Sequence, residues 1–373
     1  MKMTNLCLCI GSKDFFGAER RYMKILRNIL SRGEGDHGIW LVINSSLYRS
    51  SRDKPLPKSV MDAFEQDQRL IVLPDRPTHL LETRRPFKFI SLFLSLASFH
   101  CILRADIIAY ARALLPRHTV LELTSPDIAL RVARRLPAFL LRRIPRYVSV
   151  SETVQARFTS ELARRGIELA AERMHIWTIP YFEPGEFHGE AKEKIVVSAS
   201  RFVKRKNVLL LAKSLKKAIP DLPDWKFCVF GQGEDEAEIR ETLGEWIATG
   251  QVEVGYSNNT IATLKKSSVY ISLIEPDNYP SQSILEAMAC ANALVLSNTG
   301  SSHKFINREL PNGLLVDLSA EAVASALVEV CSDSDRLSNL RRCSRDFVSA
   351  NYNADRFIDE FMSTNEVAAR NSP

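Results

Sequence analysis

The sequence lacks an apolar run long enough to span a bilayer, which takes about 20 consecutive, predominantly apolar residues. The longest candidate, Phe87 to Leu103, is broken by Lys88, three serines and His100. No leader is expected at the N-terminus either: Cys7, Leu8, Cys9 and Ile10 read as a short strand rather than as the core of a signal peptide. Cysteine is scarce. The chain has seven, an odd number, with no CxxC pair and no Cys/His ligand spacing, which excludes a disulfide framework and a zinc ribbon. Cys7, Cys9, Cys228 and Cys290 lie inside apolar runs and read as reduced core thiols of a cytosolic protein. Short repeats and low-complexity segments are also missing, which excludes a repeat array.

What remains is a globular chain of 373 residues, 45% hydrophobic and 25% charged, long enough for two domains. Its net charge of +6 is unevenly placed. Residues 1–190 hold 29 Lys and Arg against 20 Asp and Glu, whereas residues 191–373 hold 21 against 24. The N-terminal half is therefore the one expected to face an anionic partner.

Short apolar runs alternate with longer helical patterns. Strands are predicted near Asn5–Ile10, Ile39–Ile43, Leu70–Leu73, Asp106–Tyr110, Thr119–Leu123, Tyr147–Val150 and Ile176–Ile179, with helices such as Ala18–Leu30 and Val154–Ala163 between them. Residues Pro180 to His188, rich in Pro, Gly and acids, look like a hinge linker. A second series follows. Its strands are predicted at Ile195–Ala199, Lys226–Phe230, Val252–Val254, Val269–Leu273, Ala293–Leu296 and Gly313–Val316. Its helices are predicted at Asn207–Ala218, Asp235–Glu245, Ile261–Lys266, Ser281–Ala289 and Ala320–Val330, and the tail from Asp335 to Met362 reads as helical. Such alternation implies βα units on parallel sheets, which bind ligands at the carboxyl ends of their strands. Two sheets face to face imply a ligand in the cleft between them. The expected domains are residues 1–182, 183–350 and a C-terminal helix and tail, 351–373, that can cross back to the first.

Three stretches carry chemistry. The strand Ile195–Ala199 runs into Ser200, Arg201, Lys204, Arg205, Lys206 and Asn207. Four cations at a strand's carboxyl edge suit a diphosphate, although a solvated basic turn has the same composition. The strand Lys226–Phe230 ends in Gly231-Gln232-Gly233, whose glycines would let a backbone approach a ligand or simply make a tight turn. The third stretch runs from Ser272 to Cys290. Pro280 and Ser281 are placed to start a helix, with Ser281 as its cap and its bare amides as an anion site. Ser283 and Glu286 share one face of that helix, opposite Ile284 and Met288, so Glu286 can grip a ribose or sugar diol or stand in solvent.

In order and spacing, Ala199-Ser-Arg201 to Lys206, Val229 to Gly233, Leu285-Glu286-Ala-Met-Ala and Asn312-Gly313 to Val316 resemble glycosyltransferase family 4. The resemblance is strong over Ile195–Val330 and weaker at Phe16-Gly17-Ala-Glu-Arg20 and at Val150-Ser151-Glu152. It implies a GT-B fold: two Rossmann-like, doubly wound α/β domains facing across a cleft, an N-terminal acceptor domain and a C-terminal nucleotide-sugar donor domain. It implies that Arg201 and Lys206 bind the donor diphosphate and Glu286 the ribose. Gly17 lets the first domain approach the donor. Gly231, Gly233, Tyr279, Pro280, Ser281 and Gln282 complete the donor site. Transfer would retain anomeric configuration with no metal and no cofactor. The single Asp-x-Asp spacing, Asp333-Ser334-Asp335, reads as a turn.

Two positions depart from the family pattern. Asn278 stands where a catalytic carboxylate is expected, and it brings hydrogen bonds without charge. Glu275 and Asp277 are the neighbours able to replace it. No histidine follows the strand Thr119–Leu123. His118 precedes the strand, at its wrong end, which leaves Glu122, Thr124 and Ser125 as candidates for the reacting centre.

The first half also holds a stretch from Arg131 to Arg146 with six arginines, no acid and interleaved apolar residues, and Arg84 to Phe93 has a similar character. Either surface can lie on anionic lipid, or be the solvated face of a crossover helix. A nucleic-acid reading module is lacking. The sequence thus implies a cytoplasmic glycosyltransferase of hexosyltransferase type, peripheral on the inner membrane face. It would act on a glycan or lipid-linked acceptor in cell-surface polysaccharide synthesis. A sugar-nucleotide 2-epimerase on the same fold and a non-catalytic donor-binding partner are the alternatives; Arg201, Lys206 and Glu286 together favour the transferase.

Overall fold

Each of the two alternating series closes into its own parallel sheet in a computed structural model of the chain. The structure describes residues 6–75 except 13, 16 and 32–37, then 98–102, 119–183, 187 and 191–370, without the side chains of 366–370. The strand expected at Asp106–Tyr110, His118 and the stretch Arg84 to Phe93 lie outside the described residues. The chain divides into two units, Met1–Tyr181 with Ala354–Pro373, and Phe182–Asn353.

The sheet of the first unit contains β1 (Leu6–Ile10), β2 (Trp40–Asn44), β3 (Leu70–Leu73), β4 (Ser98–Ile102), β5 (Thr119–Leu123), β6 (Arg146–Ser149) and β7 (Met174–Ile176). Their order is β3-β2-β1-β4-β5-β6-β7, every pair parallel. The second unit has β8 (Ile195–Ala199), β9 (Lys226–Phe230), β10 (Val252–Gly255), β11 (Val269–Ser272), β12 (Ala293–Ser297) and β13 (Gly313–Val316), in the order β10-β9-β8-β11-β12-β13. Both sheets reverse direction of winding between their first and fourth strands, the doubly wound arrangement that leaves a crevice at the carboxyl ends of that pair.

Burial on both faces makes this possible. In β9, Phe227 and Val229 enter one core and Cys228 and Phe230 enter the other, as the two-residue period of a strand requires. Helices Val208–Ala218 and Ala320–Ser332 cover the first of these faces, and Gln282–Ala289 covers the second. The helix expected at Asp235–Glu245 is two, Glu236–Thr242 and Gly244–Ala248.

The strand Ser98–Ile102 is not foreseen by the apolar pattern, because Ser98 and His100 interrupt it. Both are buried because a second layer satisfies them. The helix Ala354–Arg370 brings Asn365, whose backbone carbonyl accepts from Ser98 Oγ at 3.3 Å and whose Oδ1 lies 3.3 Å from His100 Nδ1. Glu360 of the same helix pairs with His175 Nε2 at 2.9 Å and accepts from the Thr178 amide. Phe357 and Phe361 pack their rings, tilted, against Trp177. At the start of the expected linker, Tyr181 and Phe182 are buried rather than solvated. Among the described residues, no helix is long and apolar enough to cross a membrane.

Candidate active site

The β8–β11 pair is the switch point of the second sheet, and its loops carry the charged motifs. After β8 the chain makes a basic turn that includes the short helix Lys204–Lys206. Arg201, Lys204 and Arg205 are exposed and Lys206 is half-buried. Burial, followed by the neighbouring charges of Arg205 and Arg201, lowers the Lys206 ammonium to about 7. A cation held at such a cost is stabilised by an anion.

Two bonds fix this turn beside β11: Asn207 Nδ2 donates to Leu273 O at 2.8 Å, and the Glu275 amide donates to Arg205 O at 3.1 Å. The turn after β9 lies against it from the other side. Phe202 N donates to Gln232 O at 3.0 Å. A Cβ at Gly231 would stand 1.9 Å from Ser200 O, and one at Gly233 would stand 2.2 Å from Phe202 O. These two glycines are therefore required by the chain's own close approach, the tight-turn reading of the motif. Gly17 differs: it is exposed, and a Cβ there would meet nothing within 4 Å. Gly313, by contrast, packs on Leu294, whose carbonyl would be 2.3 Å from an added Cβ. Buried Asn312 ties Asn307 N to Phe305 O.

The loop after β11 sorts its polar residues by burial. Asp277 is buried, and its Oδ1 accepts from the amides of Tyr279 and Ser301, both at 3.0 Å. It is a tie between two loops and not an available carboxylate. Gly300, at φ +51°, allows this approach. Asn278 is also buried, with Nδ2 donating to Ser272 Oγ at 3.0 Å. Glu275 is exposed. Tyr279 turns its ring into the core against Phe305, under the ammonium of Lys304, so only its backbone faces the loop.

Pro280 follows a cis peptide and the helix begins at Gln282, later than the expected start at Pro280 and Ser281. Ser281 occupies the cap position without capping. Its hydroxyl pairs instead with Ser283 Oγ at 3.0 Å. Pro280, Ser281, Gln282 and Glu286 are half-buried, whereas Ile284 and Met288 are fully buried. Glu286 stands by Tyr270 on β11. Burial, with Glu286's charge adding to it, pushes that phenol up to about 12, although a bond to Ser283 opposes the shift. Tyr270 hydroxyl also reaches Ala199 O at 3.4 Å, where the basic turn begins. Arg201, Lys206, Glu286 and the uncapped helix start thus share one sheet edge. Sequence reasoning gave no role to Asn207, at the end of the basic turn, or to Tyr270, inside β11, both of which position these groups.

Glu122 lies elsewhere, fully buried in the first unit. Arg21 Nη2 donates to its Oε1 and the Tyr22 hydroxyl to its Oε2, with His100 Nε2 3.0 Å from Oε2. Burial alone would raise this carboxyl, but the charge of Arg21 and the His100 and Tyr22 bonds outweigh it and hold it at about 2. Glu122 is thus the counter-ion of a buried arginine, closed to solvent. Ser125 caps the helix Pro126–Arg135 through the Ile128 amide at 3.2 Å.

Residues 185–347, nearly the whole second unit, match the family model described as Glycosyl transferases group 1. Over 156 residues the chain is 25% identical to the uncharacterized glycosyltransferase MJ1069 of Methanocaldococcus jannaschii; the match spans 40% of each chain. Two solved structures share the whole fold. HepE of Anabaena, in complex with UDP and glucose, superposes with a TM-score of 0.71 at 14% identity, covering 97% of this chain and 99% of its own. The lipopolysaccharide outer core galactosyltransferase WaaB, in its apo form, gives 0.66 at 13% identity, with 98% of each chain covered. The second unit is thus similar to the group 1 glycosyl transferases, and the chain as a whole has the two-sheet GT-B fold.

Proposed function

We propose that this protein is a retaining glycosyltransferase that moves a sugar from a nucleotide-sugar to a glycan or lipid-linked acceptor. The observation that carries this reading is the meeting of cations and a ribose-directed carboxylate at the β8–β11 switch point. Arg201 and Lys206 hold the diphosphate, Arg201 with its fork of donors and Lys206 as a point charge. The amides of Ser281 to Ser283, at the start of an uncapped helix, add their dipole. Glu286 accepts from the ribose hydroxyls. Asn278 has its amide nitrogen engaged by Ser272, which leaves its oxygen to accept from a sugar hydroxyl. Exposed Glu275 is the carboxylate of that loop placed to face the sugar. Transfer proceeds without a metal, so activity survives EDTA.

HepE was solved with UDP and glucose, and WaaB is named for the lipopolysaccharide outer core. The first supports a UDP-sugar donor and the second a role in cell-surface polysaccharide synthesis. The basic stretch of the first unit supports a place at the membrane face. Phe139 is 60% exposed among exposed Arg135, Arg142 and Arg143.

The test is a thermal-shift screen of nucleoside diphosphates and nucleotide-sugars, since a ligand bound only by the native state raises its melting temperature. Parent protein is expected to respond to one of them. Replacing Arg201 and Lys206 together by Ala should weaken diphosphate binding about tenfold or more for each side chain, at roughly 1.5–3 kcal/mol per charge-assisted hydrogen bond, and should leave nucleoside binding little changed. Equal nucleoside diphosphate affinity in parent and double variant would remove both residues from the site.

A further inference from the structure

We propose that Lys192 is a positioning residue of the donor site: it fixes the carboxyl end of the helix that bears Glu286. The inference rests on the donor reading above and adds a residue that precedes β8, outside the stretch that carries the motifs. Lys192 is half-buried, and its ammonium donates to three backbone carbonyls. Ser267 O accepts at 2.7 Å and Leu264 O at 3.1 Å, and Cys290 O accepts as well.

These acceptors belong to two helix ends. Leu264 and Ser267 close the helix Thr260–Lys266, and Cys290 is the carboxyl cap of Gln282–Ala289. The last carbonyls of a helix lack intrahelical partners and carry the negative end of its dipole, so a cation there is stabilising. A clamp between two helices is by itself only structural. What distinguishes Lys192 is the bond on the other side of Cys290, whose amide donates to Glu286 O at 3.0 Å. The ammonium of Lys192 and the backbone of Glu286 are thus joined through a single residue.

Asn292 acts on the same end. It is fully buried, its Nδ2 donates to Ala287 O at 3.0 Å and to Leu264 O at 2.9 Å, and its Oδ1 accepts from Ser267 Oγ at 2.6 Å. Asn292 holds the turn after the helix, and Lys192 holds the cap itself. Glu286 stands four residues before that cap, about one helical turn, so a shift of the cap moves its backbone too. A carboxylate that accepts from both hydroxyls of a diol depends on distance and direction, and such bonds weaken steeply once misaligned. Lys192 therefore acts on the ribose through Glu286, without touching the nucleotide.

Calorimetric titration of UDP, GDP and ADP, each with its 2′,3′-dideoxy counterpart, into the parent and Lys192→Met tests this, with urea unfolding of both proteins. Methionine keeps the apolar stem and removes the charge and the donors. The dideoxy compounds lack the hydroxyls assigned to Glu286, so the ratio of the two affinities reads that contact. The parent is expected to prefer the ribonucleotide. Lys192→Met should weaken the ribonucleotide at least about threefold and the dideoxy form less, so that the ratio falls towards one. An unchanged ratio overturns the assignment whatever the stability, and so does an equal loss for both forms, which would leave Lys192 a support of the fold. Should Lys192→Met not fold, Lys192→Gln, which keeps a donor without the charge, takes its place with the same expected result. If neither folds, Lys192 serves the fold and the assignment is overturned. If the parent binds no nucleotide, or binds both forms equally, the ribose reading of Glu286 fails, and the positioning role with it.

Discussion

Asn207 holds the basic turn to the neighbouring strand: its side-chain amide donates to the carbonyl of Leu273 at 2.8 Å while its own backbone is left-handed, at φ 51° and ψ 34°. The two properties are separable. Asn tolerates the left-handed region better than most residues, and glycine tolerates it better still. Asn207→Gly should therefore remove the tie alone, at about 0.5–1.5 kcal/mol. Asn207→Ala adds the cost of the left-handed backbone, about 1–2 kcal/mol more. Urea unfolding of the two variants measures the difference, and nucleotide titration shows whether loosening the turn weakens the site. Equal stability of both variants with the parent would mean that the tie carries no energy.

Lys206 leads to a pH prediction. Its ammonium is lowered to about 7 in the free protein, chiefly by burial and then by Arg205 and Arg201. A bound diphosphate favours the charged form and raises it again. At pH 8 a large share of the free site lacks this proton, so binding should take one up. Affinity should fall as pH rises from about 7 towards 9, by up to about tenfold per unit while the bound lysine stays protonated. Calorimetry in buffers of different ionisation enthalpy counts the proton. Lys206→Arg should abolish the uptake, because arginine stays charged throughout. Uptake that persists in Lys206→Arg would place the titration on another group.

Glu122 should prove structural. Its carboxyl is held at about 2, below the ordinary glutamate value of about 4.3. The unfolded chain then takes up the proton first as pH falls. Its contribution to stability is therefore complete above about pH 4.5 and is lost progressively towards pH 2. Glu122→Gln leaves the buried Arg21 without its counter-charge and should cost about 3–5 kcal/mol at neutral pH. Nucleoside diphosphate affinity should be unchanged, since Arg201, Lys206 and Glu286 belong to the other unit. Paired melting and titration experiments check both halves. A variant of parental stability with lost turnover would return Glu122 to the chemistry.

The arginine patch can be reduced to the residues that a membrane would meet. Arg134 is committed to Glu161 at 3.0 Å, and Arg146 is half-buried at the start of β6. Arg135, Arg142 and Arg143 are exposed, as is Phe139, which lies between Arg135 and Arg142 in the chain. Replacing these three arginines with Gln should release the protein from anionic vesicles, at up to about 1 kcal/mol per charge. Salt should act likewise, because the Debye length falls to about 3 Å at 1 M. Vesicle co-sedimentation at low salt decides it. A parent that stays in the supernatant would leave the stretch a solvated crossover helix.

The period of apolar residues was enough to place twelve of the thirteen strands, at least in part, because a strand buried on both faces must be apolar along its length, as in Lys226–Phe230 and Val269–Ser272. Ser98–Ile102 escaped, since its polar residues are satisfied by a helix more than 250 positions away, and no local pattern records such a partner. The same distance hid the setting of Glu122. Arg21, Tyr22 and His100 are spread over some eighty residues, and only the order β1-β4-β5 gathers them.

Within the second unit, the sequence by itself determined which residue types stand at each strand end: cations after β8, glycines after β9, and a polar loop and an acid-bearing helix after β11. These follow from local chemistry, because charge, backbone freedom and helix periodicity are properties of short segments. Tertiary structure alone decided what each group does there. It turned Gly231 and Gly233 towards Ser200 and Phe202, occupied Asp277 with two amides, and left Glu275 exposed three residues from a buried Asn278. A polar side chain's role depends on whether its partner is water, its own chain or a ligand, and that is settled only when distant segments close around it.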